Sequence, residues 1–158
     1  MKRSVVFIAA IILAGLALAN LTIAGNNKNF RTHLSGANEV PPVITKAQGQ
    51  ATFMVSPDGM SVKFKLIVAN IIDVQAAHIH LAAEGVNGPV VVTLYGGPLI
   101  PGRFQGILAQ GTFTAADLTG PLQGMTIADL LAALQAGNLY VNAHTAANPG
   151  GEIRGQLK

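Results

Sequence analysis

The sequence predicts an all-β domain, specifically an antiparallel Greek-key β-sandwich of about eight strands with one short helix in a connection. Three observations predict it. Short apolar or alternating segments recur between turn residues at intervals of about 8–12 residues. Only one segment has helical spacing, and long connections between some of the strands favour Greek-key links.

Alternation is clearest in a hairpin near the middle of the chain. Ser56-Pro57-Asp58-Gly59 is a turn, because proline presets one φ angle and glycine accepts a positive one. After it, apolar residues alternate with Lys63 and Lys65, as in a strand with one face in water. The segment 96–104, rich in glycine and proline, is predicted to be a loop. The predicted strands are 30–35, 49–55, 62–68, 74–80, 89–95, 106–113, 139–144 and 152–157.

One helix is predicted over residues 126–136. Thr126 and Asp129 have the spacing of a capping box, and Gly137 follows as the residue that ends the helix. Between them, apolar residues fall at helical spacing, which predicts an amphipathic helix between two strands.

The N-terminus predicts export. Residues 1–19 are predicted to be a signal peptide, because Lys2 and Arg3 precede an apolar run and Ala17-Leu18-Ala19 provides a small-x-small cleavage pattern. Residues 20–29 are predicted to be a linker and residues 30–158 the domain, secreted or held in the periplasm or at the cell surface. The alternative is an uncleaved leader whose apolar run extends to Ala24 and anchors the chain in a membrane.

Composition excludes several classes of function. Removing residues 1–19 leaves 8 basic residues against 7 acidic ones, so the basic charge of the whole chain does not predict nucleic-acid binding. The absence of cysteine excludes disulfides, thiolate metal ligands and thiol nucleophiles. No G-x-S-x-G or phosphate-binding loop is present, so the residues favour a binding module over an enzyme.

Histidine is the residue type that points to chemistry. His78 and His80 share one face of a predicted strand, while Ile79 points to the other face. His144 ends a later strand and completes a three-nitrogen site if the two strands are neighbours, whereas His33 has no evident link to them. Imidazoles suit copper, zinc, nickel or iron, and not calcium or magnesium. The alternative is that these rings bond backbone carbonyls or water and organise loops without a metal.

Five motifs in this order resemble the CHRD domain, the module named after chordin and found in many exported microbial proteins. The resemblance covers residues 30–158 and implies an extracellular binding module with an extracellular protein partner. It implies no settled enzymatic activity. The motifs are 34–42 (LSGANEVPP), 77–80 (AHIH), 87–91 (NGPVV), 140–145 (YVNAHT) and 148–157 (NPGGEIRGQL).

The histidine segments are also similar to the copper,zinc superoxide dismutases, which carry H-x-H on a strand of a Greek-key sandwich. The resemblance implies that His78, His80 and His144 are copper-type ligands and that Arg154 steers an anion. The histidine that bridges the two metals, the zinc-ligand loop and the disulfide have no counterpart here. The resulting hypothesis is an exported module that binds copper or zinc. Its alternatives are a metal-free interaction domain and a dismutase-like copper enzyme.

Overall fold

Residues 29–158 fold into a mostly β domain with one α-helix. The computed structural model describes residues 29–158; the predicted signal peptide of 1–19 and residues 20–28 of the predicted linker lie outside them. The helix α1 spans Ile127–Gln135. The strands are β1 (Asn29–Ser35), β2 (Gln48–Val55), β3 (Ser61–Leu81), β4 (Val90–Tyr95), β5 (Ile100–Thr114), β6 (Leu139–Thr145) and β7 (Ile153–Gln156).

The strands form a single antiparallel sheet that closes on itself. Its order is β2-β1-β7-β6-β3-β4, and β5 also pairs with β3. Since β2 pairs with β3 as well as with β1, the path returns to its start and the sheet takes a barrel-like arrangement. The predicted all-β class with one helix is confirmed, whereas the two-sheet sandwich and the Greek-key links are not.

Two of the predicted strands, 62–68 and 74–80, are one continuous strand, which lowers the count among residues 29–158 from about eight to seven. Asn70 and Asp73 adopt left-handed conformations within β3, with φ of 57° and 54°. Asparagine and aspartate tolerate this conformation better than other non-glycine residues, so the strand can bend there and resume pairing. Its first half pairs with β2 and β5, and its second half pairs with β4 and β6.

The predicted loop of 96–104 is also partly wrong, because β5 begins at Ile100 and pairs with the bent part of β3. Gly102 and Gly106 have positive φ values of 74° and 131°, which lets β5 follow the bend through its register shifts. The Gly102 amide donates to Oδ1 of Asp73 at 2.6 Å. Pairing along β3 therefore outweighs the local preference of glycine and proline for a loop.

The predicted hairpin and helix are confirmed. Val55 pairs with Val62 across the 56–59 turn. Thr126 and Asp129 form the capping box of α1, and Gly137 follows its end with φ of 72°. Among residues 29–158, no helix has the length and apolar character needed to cross a membrane.

A ladder of phenylalanine rings fills one part of the core. Phe30 stacks on Phe53 with 4.9 Å between ring centroids, and the ladder continues through Phe64 to Phe113. Each buried ring stabilises the fold by roughly 1.5–3 kcal/mol. Because the chain has no cysteine, this apolar packing stabilises the domain without disulfides.

The second half of β3 forms, with β6 and β7, a sheet segment that is buried on both faces. Ala77, Ile79 and Val141 are fully buried in the apolar core, as the strand parity of Ile79 predicts. The opposite face is polar, and we call it the histidine face. It carries His78, His80, Tyr140, Asn142, His144 and Arg154.

Candidate metal centre

His78, His80 and His144 converge on the histidine face. His78 and His80 lie on β3, and His144 lies on β6, which pairs with β3 so that Ala76 is opposite His144. Each ring offers one nitrogen to a group in which the three ligand atoms lie within 4.8 Å of one another. The strands β3 and β6 are therefore neighbours, as a site shared by the three histidines requires. His33 lies on β1 opposite Gln50 and is not a member of the group.

The closest pair in this cluster is His78 and His144, whose Nδ1 and Nε2 atoms lie 3.0 Å apart. Two nitrogens bound to one tetrahedral zinc ion at about 2.0–2.1 Å would lie about 3.3 Å apart. His144 Nδ1 bonds the Pro149 carbonyl at 2.9 Å, which fixes its proton there and leaves Nε2 with a free lone pair. The proton between the two rings then belongs to His78 Nδ1, so this nitrogen can bind a metal only after the proton has moved to Nε2 of the same ring.

Backbone carbonyls orient two of the three imidazoles. His144 is held by Pro149 in the β6–β7 turn, and His80 Nδ1 bonds the Gly88 carbonyl at 2.8 Å in the β3–β4 loop. Metal-bound histidines usually donate their second ring N–H to such an acceptor, which fixes the tautomer and the direction of the ligand nitrogen. The arrangement therefore supports Nε2 as the ligand atom of both residues.

Asn142 would compete with a metal ion for Nε2 of His80, the third ligand nitrogen. His80 Nε2 lies 2.9 Å from Asn142 Oδ1, and the Asn142 side chain is 2% exposed. A neutral imidazole has only one N–H, so it cannot donate to both Asn142 and Gly88. A neutral His80 therefore accepts from the Asn142 amide NH₂ group, turned toward it, and a metal bound at Nε2 must displace that amide.

Burial keeps the three imidazoles neutral. Burial, together with the nearby His144 and His80, lowers the pKa of His78 to about 4. Burial also lowers the pKa of His80 and of His144, although hydrogen bonds to Gly88 and Pro149 oppose the effect. Neutral imidazole is the form that binds metals, so protons compete weakly at this cluster near pH 7.

Arg154 is buried against Tyr140 and does not lie on the exposed side of the histidine cluster. It is 2% exposed, and its guanidinium carbon lies 3.4 Å from the centroid of the Tyr140 ring. Its terminal nitrogens donate to the Val86 carbonyl at 2.7 Å and to Asn87 Oδ1 at 3.0 Å. The role of anion steering therefore stays a prediction, and in this arrangement the guanidinium is engaged by protein groups.

Two buried glutamates, Glu39 and Glu152, lie near the histidine face, and no local sequence pattern indicates their burial. Glu152 accepts hydrogen bonds from Thr145 at 2.7 Å and Thr45 at 2.6 Å, so it fixes the turn that carries Pro149. Glu39 is 5% exposed and its Oε1 has no hydrogen-bond partner. Burial raises the pKa of Glu39 to about 7, and the nearby charge of Arg154 opposes that rise.

Tyr140 and Asn142 could have been found from the sequence, because they alternate with His144 on one strand and must share its face. Glu39 could not, since it reaches the cluster from the connection between β1 and β2.

The described residues therefore form a closed antiparallel β domain with a polar, histidine-bearing face, and two loops contact that face. The family profile of the CHRD domain matches residues 30–157, so the chain belongs to the CHRD domain family. The predicted family is confirmed, and CHRD domains are typically extracellular. Neither the comparison with curated proteins nor that with solved structures gives a match. The resemblance to copper,zinc superoxide dismutase therefore rests on the short histidine motifs alone.

Proposed function

We propose that this chain is an exported CHRD-domain module that binds one transition-metal ion, copper or zinc, through His78, His80 and His144. The observation that carries the proposal is the convergence of three ring nitrogens within 4.8 Å from two adjacent strands. Strands hold their side chains rigidly, so little conformational entropy is lost when a metal binds.

The chemistry of the cluster supports copper or zinc. Both metals accept imidazole nitrogen, and neither requires the oxygen ligands that calcium and magnesium prefer. Three nitrogens leave one position of a four-coordinate ion open to water or a small ligand. The carbonyls of Gly88 and Pro149 supply the outer hydrogen bonds that histidine ligands usually have.

Calorimetric titration of copper(II) and zinc(II) into the dialysed protein tests the proposal. We expect about one ion per chain for wild type and a loss of that binding in His80→Ala and His144→Ala. His33→Ala is the matched control, because it removes an exposed histidine outside the cluster and should bind as wild type does. Equally weak binding by wild type and His80→Ala would overturn the proposal.

A metal-free extracellular interaction domain is the second candidate, and one observation favours it. His80 and His144 already bond carbonyls of two different loops, so the histidines can organise a surface without a metal. Thermal melts separate the two candidates, since a ligand that binds only the native state raises the melting temperature. No shift with copper or zinc would favour the second candidate. Superoxide removal by copper-loaded protein would be needed to support a dismutase-like enzyme.

A further inference from the structure

Arg154, Tyr140 and His80 form a three-layer stack on the histidine face. The guanidinium carbon of Arg154 lies 3.4 Å from the centroid of the Tyr140 ring. The Tyr140 ring is parallel to the His80 ring, with 5° between the planes and 4.7 Å between the centroids. All three side chains are at least nine-tenths buried, with exposures of 2%, 2% and 7%.

Strand register builds this stack. Tyr140 lies opposite His80 across β3 and β6, and Arg154 lies opposite Asn142 across β6 and β7. Arg154 is therefore the diagonal neighbour of Tyr140, within reach of a long side chain. Cation–π attraction and ring stacking then hold the three groups face to face.

The β3–β4 loop (residues 82–89) holds every layer of the stack from one side. It accepts from Arg154 through the Val86 carbonyl at 2.7 Å. It donates from the Gly88 amide to the Tyr140 hydroxyl at 3.2 Å and accepts from His80 Nδ1 through the Gly88 carbonyl at 2.8 Å. The loop thus holds the His80 ring directly through the Gly88 carbonyl, and it holds the other two layers of the stack through Val86 and the Gly88 amide.

We propose that Arg154 and Tyr140 are positioning residues of the histidine cluster, because the stack fixes the plane of the His80 ring and hence the direction of its Nε2 atom. The torsion that turns a histidine ring is otherwise broad. Held between Tyr140 and the Gly88 carbonyl, His80 is the anchor of the cluster, and the half-buried His78 and His144 adjust to it. As a statement about metal binding, this inference rests on the proposed function.

The fixed charge of Arg154 adds a second effect. A unit positive charge behind one ligand favours the less positive oxidation state of a bound ion. In the copper-loaded protein, Arg154 therefore raises the copper(II)/copper(I) reduction potential. A lysine keeps the charge without the planar stack, whereas a methionine removes both the charge and the stack.

Two matched pairs of variants in the full domain test these roles. Tyr140→Phe keeps the ring and loses only the hydroxyl, and Tyr140→Leu removes the ring. We expect near wild-type copper(II) affinity for Tyr140→Phe and a loss of about 10–100-fold for Tyr140→Leu, the usual effect of removing an outer-shell partner. Arg154→Met should lower the copper reduction potential relative to Arg154→Lys.

Phe113→Leu is the control for a purely structural role of Tyr140. It changes a core residue on β5 outside the cluster and should lower the melting temperature. Its copper affinity should match wild type. If Tyr140→Leu loses no more affinity than Phe113→Leu, the positioning role is wrong.

Metal-free protein gives a test that does not depend on the proposed function. In NMR spectra, the His80 ring protons should move upfield under the Tyr140 ring, and the shift should persist in Tyr140→Phe and vanish in Tyr140→Leu. Failure of wild type to bind copper, with this shift present, would remove the proposed function and leave the stack intact. Identical His80 shifts in both variants would overturn the stack itself.

Discussion

His78 and His144 face each other with 3.0 Å between Nδ1 and Nε2, so one proton separates two half-buried imidazoles. Both rings are neutral near pH 7 because burial lowers the pKa of each one. A divalent metal bound by both nitrogens would take the place of this hydrogen bond, and the His78 proton would move to the other nitrogen of its own ring. This relationship links the pH behaviour of the cluster to its metal affinity.

Metal affinity should therefore persist to lower pH than at an ordinary histidine site. Protons compete for a free imidazole below its usual pKa of 6.5, but His78 has a pKa of about 4. Because the pKa values of His80 and His144 are lowered as well, we expect the fall in zinc affinity to begin only below pH 6.5, the usual pKa of a free imidazole. Zinc titrations from pH 4 to pH 8 measure this, and a midpoint near 6.5 would contradict it.

The lowered pKa of His78 also predicts how the stability of the metal-free protein depends on pH. Between pH 6.5 and about 4, the unfolded chain binds a proton at His78 that the folded chain does not. The free energy of unfolding should therefore fall as the pH falls through this window. His78→Gln should show a flatter profile in urea denaturation, whereas His33→Ala should keep the slope of wild type. A His78→Gln profile as steep as that of wild type would show that His78 does not cause the slope.

The raised pKa of Glu39 predicts the opposite pH dependence of the free energy of unfolding. Its folded-state pKa is raised from 4.5 to about 7, so the folded protein binds a proton that the unfolded chain releases between these values. Stability from this group is present below pH 4.5 and is lost as the pH rises through 7. Glu39→Gln should leave stability nearly unchanged at pH 4 and increase it at pH 9 by up to about 3 kcal/mol.

The control for Glu39→Gln is Glu84→Gln, at an exposed residue whose 3.8 Å ion pair with Lys158 lies in water. Such pairs contribute little, so this variant should follow wild type at both pH values. A Glu39→Gln protein that is less stable than wild type at pH 9 would show that the Glu39 carboxylate is stabilised in the fold by Arg154.

Gly88 connects the β3–β4 loop to the histidine cluster and should not tolerate a side chain. A Cβ atom there would overlap the Leu81 carbonyl, so Gly88→Ala must shift the loop. We expect a lower melting temperature and weaker copper binding, because the Gly88 carbonyl orients His80. Gly150→Ala is the matched control, since a Cβ at Gly150 meets no atom within 4 Å. Equal copper affinity in the two variants would contradict this role of Gly88.

Strand parity and local patterns were enough to predict the β class, the hairpin, the helix and the shared face of His78 and His80. They failed where pairing between distant segments decides the outcome. Asn70 and Asp73 look like the end of a strand, but they are bends within β3. The convergence of His144 with the H-x-H pair could be predicted only conditionally, because no local pattern shows that β6 pairs with β3. The burial of Arg154 and Glu39 could not be predicted for the same reason, since it depends on contacts between segments that are distant in the sequence.

Asn142 offers the sharpest test of how the cluster changes on metal binding. Its amide lies 2.9 Å from His80 Nε2 in the metal-free arrangement and must leave when that nitrogen binds an ion. Asn142→Ala removes the competitor but leaves the buried Nε2 atom of His80 without its partner. We expect a loss of about 1–3 kcal/mol in the free energy of unfolding of the metal-free protein, with an increase in zinc affinity. Urea denaturation and calorimetry measure the two effects separately. Should Asn142→Ala lose zinc binding along with stability, the amide supports the ligand geometry of His80 instead of competing for its nitrogen.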